Sequence, residues 1–368
     1  MQLTRIETFA TPDIGFVRVT DETGATGWGQ VSTYQSDITA QVLHRQVAPH
    51  SLGIGITDLD DHLERVLERE HKFPGSYMCR AIAGLETAIW DLRGKQAGQP
   101  VATLLGGSPG KLRAYASSMK RDITPAAEAE RFRRLRGEHG FDAFKFRIGA
   151  EVGRNRDEWE GRTEEIIPTV ARAFASEDVA LLADANSCYS PDRAIHYGHM
   201  LQDNGIGHYE EPCPYWELEQ TREVAAALDV DVTGGEQDCM LPTWRRMIEM
   251  DAVDIVQPDI LYLGGMGRTL RVARMAQAAG KPVTPHCANL GLVTLFTMHL
   301  LRALPNAGKY LEFSIEEADY YPWQYGLFRN DPYRIEDGMA EVTDAPGWGV
   351  EIAPEWLAKS EYRVSAAQ

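Results

Sequence analysis

A chain of 368 residues, 43% hydrophobic and 25% charged, can bury a large core, enough for two domains or for one barrel with additions. Its net charge of −17 excludes nonspecific attraction to nucleic acid or to an anionic membrane surface, so an anionic ligand must be met by a local positive patch or a metal. No apolar run approaches a membrane span, Met1-Gln2-Leu3-Thr4-Arg5 lacks the apolar stretch of a signal peptide, and the five cysteines form no C-x-x-C pair; the expectation is a cytoplasmic protein with reduced thiols and neither disulfide framework nor zinc site.

Residues 1–32 alternate apolar and polar around the turn Asp21-Glu22-Thr23-Gly24, which predicts a small antiparallel meander. From Thr39 to Glu70 the pattern is helical with charges on one side, and histidines such as His44 and His62 are expected at its surface. His71-Lys72-Phe73-Pro74-Gly75 interrupts it, and Arg80 to Leu92 again carries apolar residues at helical spacing. Residues 1–110 therefore read as an α+β module, closed by Gly106-Gly107-Ser108-Pro109-Gly110.

Through residues 111–325 strand and helix signals alternate. The strands are Leu112–Ser117, Ala143–Arg147, Val179–Asp184, Gly207–Glu210, Val232–Glu236, Ile255–Asp259, Val283–His286 and Tyr310–Phe313. Between them lie amphipathic stretches such as Pro125–His139, Pro191–Asn204, Leu241–Met250 and Met266–Ala279. Eight strands with connecting helices imply a closed parallel α/β barrel rather than an open doubly wound sheet. Residues 326–368, rich in Pro, Gly and aromatics, are expected to pack back on the first module. The run Arg131-Phe132-Arg133-Arg134-Leu135-Arg136 sits in a helical pattern and reads as a solvated helix face, not a nucleic-acid site.

From the third strand onward each run ends in a polar group: Asp184, Glu210, Glu236, Asp259, His286 and Glu312, spaced 23 to 27 residues apart. Side chains at the ends of successive barrel strands converge on one axis. Asp184, Glu210 and Glu236, three carboxylates without histidine or thiolate partners, form a hard oxygen set that suits Mg2+. Asp259 and His286 end the next two strands, where a carboxylate on one ring nitrogen would leave the other as a general base. In Phe144-Lys145-Phe146-Arg147 the alternation turns Lys145 and Arg147 inward. Two cations inside a barrel require anions, which the acids and an anionic substrate supply. Glu312 could donate a hydrogen bond if crowding kept it protonated, or could pair with Arg147 as a carboxylate.

This pattern resembles the enolase superfamily and, within it, the mandelate racemase subgroup with its His-Asp dyad. The matching residues are Lys145-Phe146-Arg147-Ile148-Gly149, Asp184-Ala185-Asn186, Glu210-Glu211-Pro212, Gly235-Glu236, Gln257-Pro258-Asp259 with Gly264-Gly265, Pro285-His286 and Leu311-Glu312; Ala81 to Asp91 and Leu104-Leu105-Gly106-Gly107 match upstream. The resemblance implies a modified TIM barrel, (β/α)7β, under an N-terminal capping domain completed by the C-terminal tail, in a homo-oligomer. It also implies Mg2+ on Asp184, Glu210 and Glu236, a small-molecule carboxylate substrate contacted by Lys145 and Glu312, and His286 as the base that removes the α-proton to give an enediolate.

The chain departs from the racemase pattern at Arg147, where that subgroup has a lysine as the base on the opposite face. Arginine is a poor proton acceptor, because its pKa exceeds about 12. A racemase needs a base on each face, so the departure favours dehydration of an aldonic or aldaric acid to a 2-keto-3-deoxy acid, with His286 also protonating the leaving β-hydroxyl. A racemase or epimerase of a 2-substituted acid is the alternative, and a non-catalytic sugar-acid binder a third. Specificity is expected in the capping loops Gln30–Asp37 and His71–Tyr77, with Tyr34, Lys72 and Tyr77, and beside the barrel acids with Asn186, as candidate substrate contacts.

Overall fold

The computed structural model describes residues 1–367. It begins with three antiparallel strands, β1 (Leu3–Ala10), β2 (Gly15–Asp21) and β3 (Thr26–Val31). The second turn is tied by Asp21, whose Oδ1 accepts the Thr23 N–H at 2.9 Å and the Ala25 N–H at 3.0 Å.

The stretch from Thr39 to Glu70, expected to be helical, forms two helices. Helix α1 (Ser36–Val42) runs on through a π turn and a 3-10 turn to His50, and α2 (Leu59–Arg69) starts afresh. The start is set by Asp58, whose side chain accepts the Asp61 N–H at 3.0 Å as an N-cap. His44 and His62 are not simple surface residues either. His44 is held between the hydroxyls of Thr8 (2.9 Å) and Ser365 (2.8 Å), where burial lowers its pKa to about 4. His62 lies 3.0 Å from the Ser51 hydroxyl.

Helix α3 (Ser76–Ala97) lies across the meander with Ile82, Leu85, Ile89 and Leu92 buried beneath it, and the short α4 (Val101–Leu104) leads into the barrel. The barrel then alternates β4 (Gly110–Ser117), α5 (Pro125–His139), β5 (Ala143–Arg147), α6 (Arg162–Ala173), β6 (Ala180–Asp184), α7 (Pro191–Asp203), β7 (His208–Glu210) and α8 (Leu218–Ala227). It continues with β8 (Asp231–Gly234), α9 (Leu241–Glu249), β9 (Ile255–Val256), α10 (Ile260–Leu263), α11 (Met266–Ala278), α12 (Leu292–Leu301) and β10 (Leu311–Ser314).

Neighbouring strands pair in parallel, and β10 closes on β4. The segment expected to be a strand from Val283 to His286 makes only single parallel bridges, Val256 with Val283 and Asp259 with His286. Pro282 and Pro285 flank or interrupt that run and supply no N–H to a ladder. The position in the barrel is nevertheless kept. With seven helical connections between eight strand positions, the architecture is a (β/α)7β barrel under an α+β cap.

The tail meets both parts. Strand β11 (Met339–Val342) adds antiparallel to the start of β4, a short α13 (Pro354–Leu357) follows, and β12 (Glu361–Ala366) pairs with β1 as the fourth strand of the meander. The Trp348 indole N–H lies 3.1 Å from the carbonyls of both Trp28 and Thr87, fixing the tail across β3 and α3. Cap and barrel are also tied by Glu86 of α3, whose carboxylate accepts the Met266 and Gly267 N–H groups at the start of α11. A Cβ at Gly265 would sit 1.9 Å from Glu86 Oε2, so the residue before α11 has no room for a side chain. Among the described residues no helix is long and apolar enough to cross a membrane.

Candidate active site

On β5 the alternation places Phe144 in the helix layer, stacked on Phe132 at 4.8 Å and Phe174 at 5.2 Å, and turns Lys145 and Arg147 into the barrel, both buried. Lys145 Nζ lies 2.8 Å from both carboxylate oxygens of Glu210, 2.8 Å from Glu312 Oε1 and 3.7 Å from Asp184 Oδ2. Arg147 pairs with Asp184 through Nη1 and also donates to the Asn186 side chain at 2.9 Å and the Ser118 carbonyl at 2.8 Å. Burial opposes the charge on each cation, yet the surrounding acids raise both pKa values. Arg147 is thus held as a buried cation among Asp184, Asn186 and the Ser118 carbonyl.

The three metal-ligand candidates end adjacent strands, with Asp184 and Glu210 in direct register. Glu236 follows Gly235, whose φ of 105° turns the chain after β8 and whose missing Cβ would otherwise strike the Trp244 ring at 2.3 Å. As they stand the three carboxylates do not close into a cage, and among the described residues no three acid, histidine or cysteine side chains are grouped as a metal centre. Lys145 pairs with Glu210 and Arg147 with Asp184. Gln257 also donates to Glu210 at 3.0 Å. Although burial opposes ionisation, Lys145 holds Glu210 well below the usual carboxylate range, whereas Glu236 is raised by burial. Glu211 is buried with Oε1 lacking any partner, and burial, with Glu236 and Glu210 nearby, pushes it well up. Hard oxygen donors on neighbouring strands, with an orphaned carboxylate oxygen beside them, fit a divalent cation.

His286 and Asp259 meet, Nδ1 to Oδ2 at 2.8 Å. The other Asp259 oxygen accepts the Leu261 and Tyr262 N–H groups at 2.7 and 3.0 Å, so the carboxylate is oriented by the first turn of α10. His286 Nε2 points toward Glu236, 3.4 Å away. Burial works against the imidazolium, but Glu236 and Asp259 more than reverse it and raise the pKa to about 10. A dication on Glu236 would cancel much of that field and bring the ring back toward a base.

Glu312, expected either as a donor or as a paired carboxylate, accepts from the Ser117 hydroxyl (2.8 Å), the Cys287 N–H (2.8 Å) and Lys145, and although burial opposes it, Lys145 and His286 lower its pKa to about 2. Its cation is Lys145, not Arg147.

The proposed substrate contacts separate. Asn186 lies in the site, its Oδ1 shared between Arg147 and Arg121 at 2.9 and 2.6 Å. Tyr34 is 51% exposed, bonds the Tyr321 hydroxyl at 3.1 Å and meets the Trp323 edge, so it belongs to an aromatic wall. Tyr77 bonds the Gln35 side chain across the two capping loops, whereas Lys72 stands exposed with no hydrogen bond among the described residues. Tyr34, Gln35, Asn186, Ser187 and Glu211 all have φ between 38° and 62°, a concentration of backbone strain at the strand ends and the loop above them. Residues not foreseen are Ser117, Gln257, Arg121, Tyr262 and Arg80. Ser117 shares the inward parity of Tyr115 on β4 and was available to the same alternation argument that found Lys145; Gln257 and Arg121 come from loops, Tyr262 from α10 and Arg80 from the cap.

A capped (β/α)7β barrel whose strand ends gather acids, two buried cations and a His-Asp pair defines a class: barrel proteins with their polar groups collected at the carboxyl ends of the strands. The chain belongs to the enolase superfamily, in its mandelate racemase subgroup. Residues 127–356 match the enolase C-terminal domain-like family and residues 2–106 the N-terminal domain of mandelate racemase / muconate lactonizing enzyme. Arabinonate dehydratase of Saccharolobus solfataricus is 28% identical over 89% of this chain and 85% of its own length. A Roseobacter denitrificans structure, provisionally described as a racemase, is 73% identical over 100% of both chains with a TM-score of 0.98. A mandelate racemase/muconate lactonizing protein from Paracoccus denitrificans, solved in complex with magnesium, is 28% identical over 99% of this chain and 98% of its own, with a TM-score of 0.89.

Proposed function

We propose that the protein is a Mg2+-dependent dehydratase of a sugar acid, a carbon–oxygen lyase that converts an aldonate or aldarate into a 2-keto-3-deoxy acid. The observation that carries this reading is the asymmetry of the site: a His-Asp pair on one side and, on strand β5, a guanidinium already held by Asp184, Asn186 and the Ser118 carbonyl. One base suffices for dehydration. The dehydratase names among the relatives, arabinonate dehydratase and the L-talarate/galactarate dehydratase of Salmonella typhimurium, support it.

Asp184, Glu210 and Glu236 would hold the cation. When bound, Mg2+ would offset the negative charge that builds on the substrate carboxylate as its α-proton leaves. Lys145 would bind the same carboxylate and release it from like-charge repulsion with Glu210 and Glu312. His286 Nε2, the ring nitrogen that Asp259 leaves free, would take the α-proton. The resulting imidazolium, steadied by Asp259, would pass a proton to the leaving β-hydroxyl; the C–O bond breaks as water departs, and the enol so formed ketonises with a solvent proton at C3.

Proton NMR of the Mg2+-loaded protein in D2O with pooled aldonic and aldaric acids tests the reading. Loss of the α-proton with a new C3 methylene signal carrying solvent deuterium is expected. Exchange or inversion at the α-carbon without that signal would establish the epimerase reading instead, which the description of the Roseobacter structure favours.

A further inference from the structure

The cations of this site are answered by acids with two exceptions, one of which stands one aromatic ring from the dyad. Arg80, near the start of α3 in the cap, lays its guanidinium on the Tyr262 ring, 3.6 Å from the centroid, and the Tyr262 ring in turn lies 5.8 Å from that of His286. Its hydrogen-bond partner among the described residues is the Ser32 hydroxyl; no carboxylate meets it. Lys145 has Glu210 and Glu312, Arg147 has Asp184, Arg268 has Glu64 and Lys120 has Asp319. Arg121 also lacks an acid, but its donors go to the Asn186 side chain and the Gly149 carbonyl. Burial raises the Tyr262 pKa, with Asp259, Arg80, Glu236 and Tyr34 as the titratable neighbours that also act on its hydroxyl.

In a chain of net charge −17, a partly buried guanidinium that pairs with no carboxylate is placed to receive an external anion. Stacking on Tyr262 restrains the plane, and with Nη1 on the Ser32 hydroxyl the Nε and Nη2 donors carry no hydrogen bond among the described residues, an edge of the fork that can take a carboxylate bidentately. The cations that would meet the reacting carboxylate, Lys145 and Arg147, lie on β5, while Arg80 descends from the cap beyond His286. With 3.6 Å from the guanidinium to the Tyr262 centroid and 5.8 Å from that centroid to the His286 ring, Arg80 and the base lie within about 9 Å of each other, a span that a six-carbon acid can bridge.

Resting on the proposed dehydratase reading, we infer that Arg80 determines specificity by binding the distal carboxylate of the substrate, so that the substrate class is the dicarboxylic aldarates and not the monocarboxylic aldonates. Tyr262 would position the guanidinium and Ser32 would hold its far edge.

The test uses the Mg2+-loaded full chain with pairs of a hexarate and a hexonate of matching configuration at C2 to C5, read by calorimetric titration and, separately, by turnover. The native protein should bind at least one hexarate about 10- to 100-fold more tightly than its hexonate. In Arg80→Gln that difference should vanish through loss of hexarate affinity alone. Arg80→Lys, which keeps the charge and loses the fork, should retain part of it. Equal affinity of the native protein for both acids in every pair, undiminished preference in Arg80→Gln, or equal loss in Arg80→Lys and Arg80→Gln would overturn the inference. Absence of turnover with preference for the diacid intact would overturn the dehydratase reading and leave the Arg80 assignment standing.

Discussion

Asp259 does two jobs with its two oxygens, and this makes its contribution separable. Asp259→Asn keeps the cap on α10 if the amide oxygen faces Leu261 and Tyr262, while the amide nitrogen then confronts His286 Nδ1 and reverses the tautomer. Turnover should fall by about 10²- to 10⁴-fold with little change in melting temperature; a melting temperature that drops in parallel would assign the loss to folding. His286→Asn should abolish both turnover and α-proton exchange in D2O, and persistence of exchange would identify a different base. Arg147→Lys should introduce exchange from the opposite face, detectable as inversion of the recovered substrate. At this scale the sequence was informative wherever a side chain's place follows from strand alternation: Asp184, Glu210, Lys145 and His286 lie where that argument puts them. It left Glu312 open, because its partner depends on how far Lys145 reaches across the axis, a contact no periodicity encodes. Arg80 was illegible for a related reason, since one arginine in a helical pattern looks like any other until the helix is seated on the barrel.

The junction between α3 and α11 shows the same limit at the level of elements. Glu86 looked like one polar position in an apolar helix, and it proves to be a buried acid that closes the start of a barrel helix. Burial raises its pKa from 4.5 to about 7, against the lowering effect of the two N–H bonds. Because the folded state then holds the proton more tightly than the unfolded chain, this group's contribution favours folding at low pH and is lost as pH rises from about 4.5 to about 7. Urea unfolding of the native protein and of Glu86→Gln, compared at pH 5 and pH 8, should show the native protein losing stability relative to the variant at the higher pH. A constant difference would mean that Glu86 is ionised throughout. Gly265→Ala should cost about 1–3 kcal/mol by driving a methyl into that carboxylate. The barrel strands were legible to within a few residues because each apolar run stops at a turn or a polar end. The break between α1 and α2 was not, since the charge pattern continues across it and only the Asp58 cap marks the restart.

Across the whole molecule, the cap sheet depends on residues far apart in the chain. Its fourth strand, β12, runs from Ala10 opposite Glu361 to Arg5 opposite Ala366, and the Tyr362 hydroxyl donates at 2.8 Å to the buried Glu7, which also holds Arg18 at 2.8 Å. Removal of residues 361–368 should therefore speed amide hydrogen exchange in β1 to β3 while leaving β5 to β7 protected; equal loosening of both would mean that cap and barrel unfold as one unit. The pairing of the tail was beyond the sequence, because β12 carries too little alternation to name its partner. It also orders events on the ribosome. Strand β1 is made early and β12 only after every barrel strand has emerged, an interval of roughly 20 to 70 s at ~5–20 residues per second. Throughout that time the growing polypeptide carries an open strand edge able to recruit other nascent chains, and the lid over the reactive groups is sealed only once the vessel beneath it has been built.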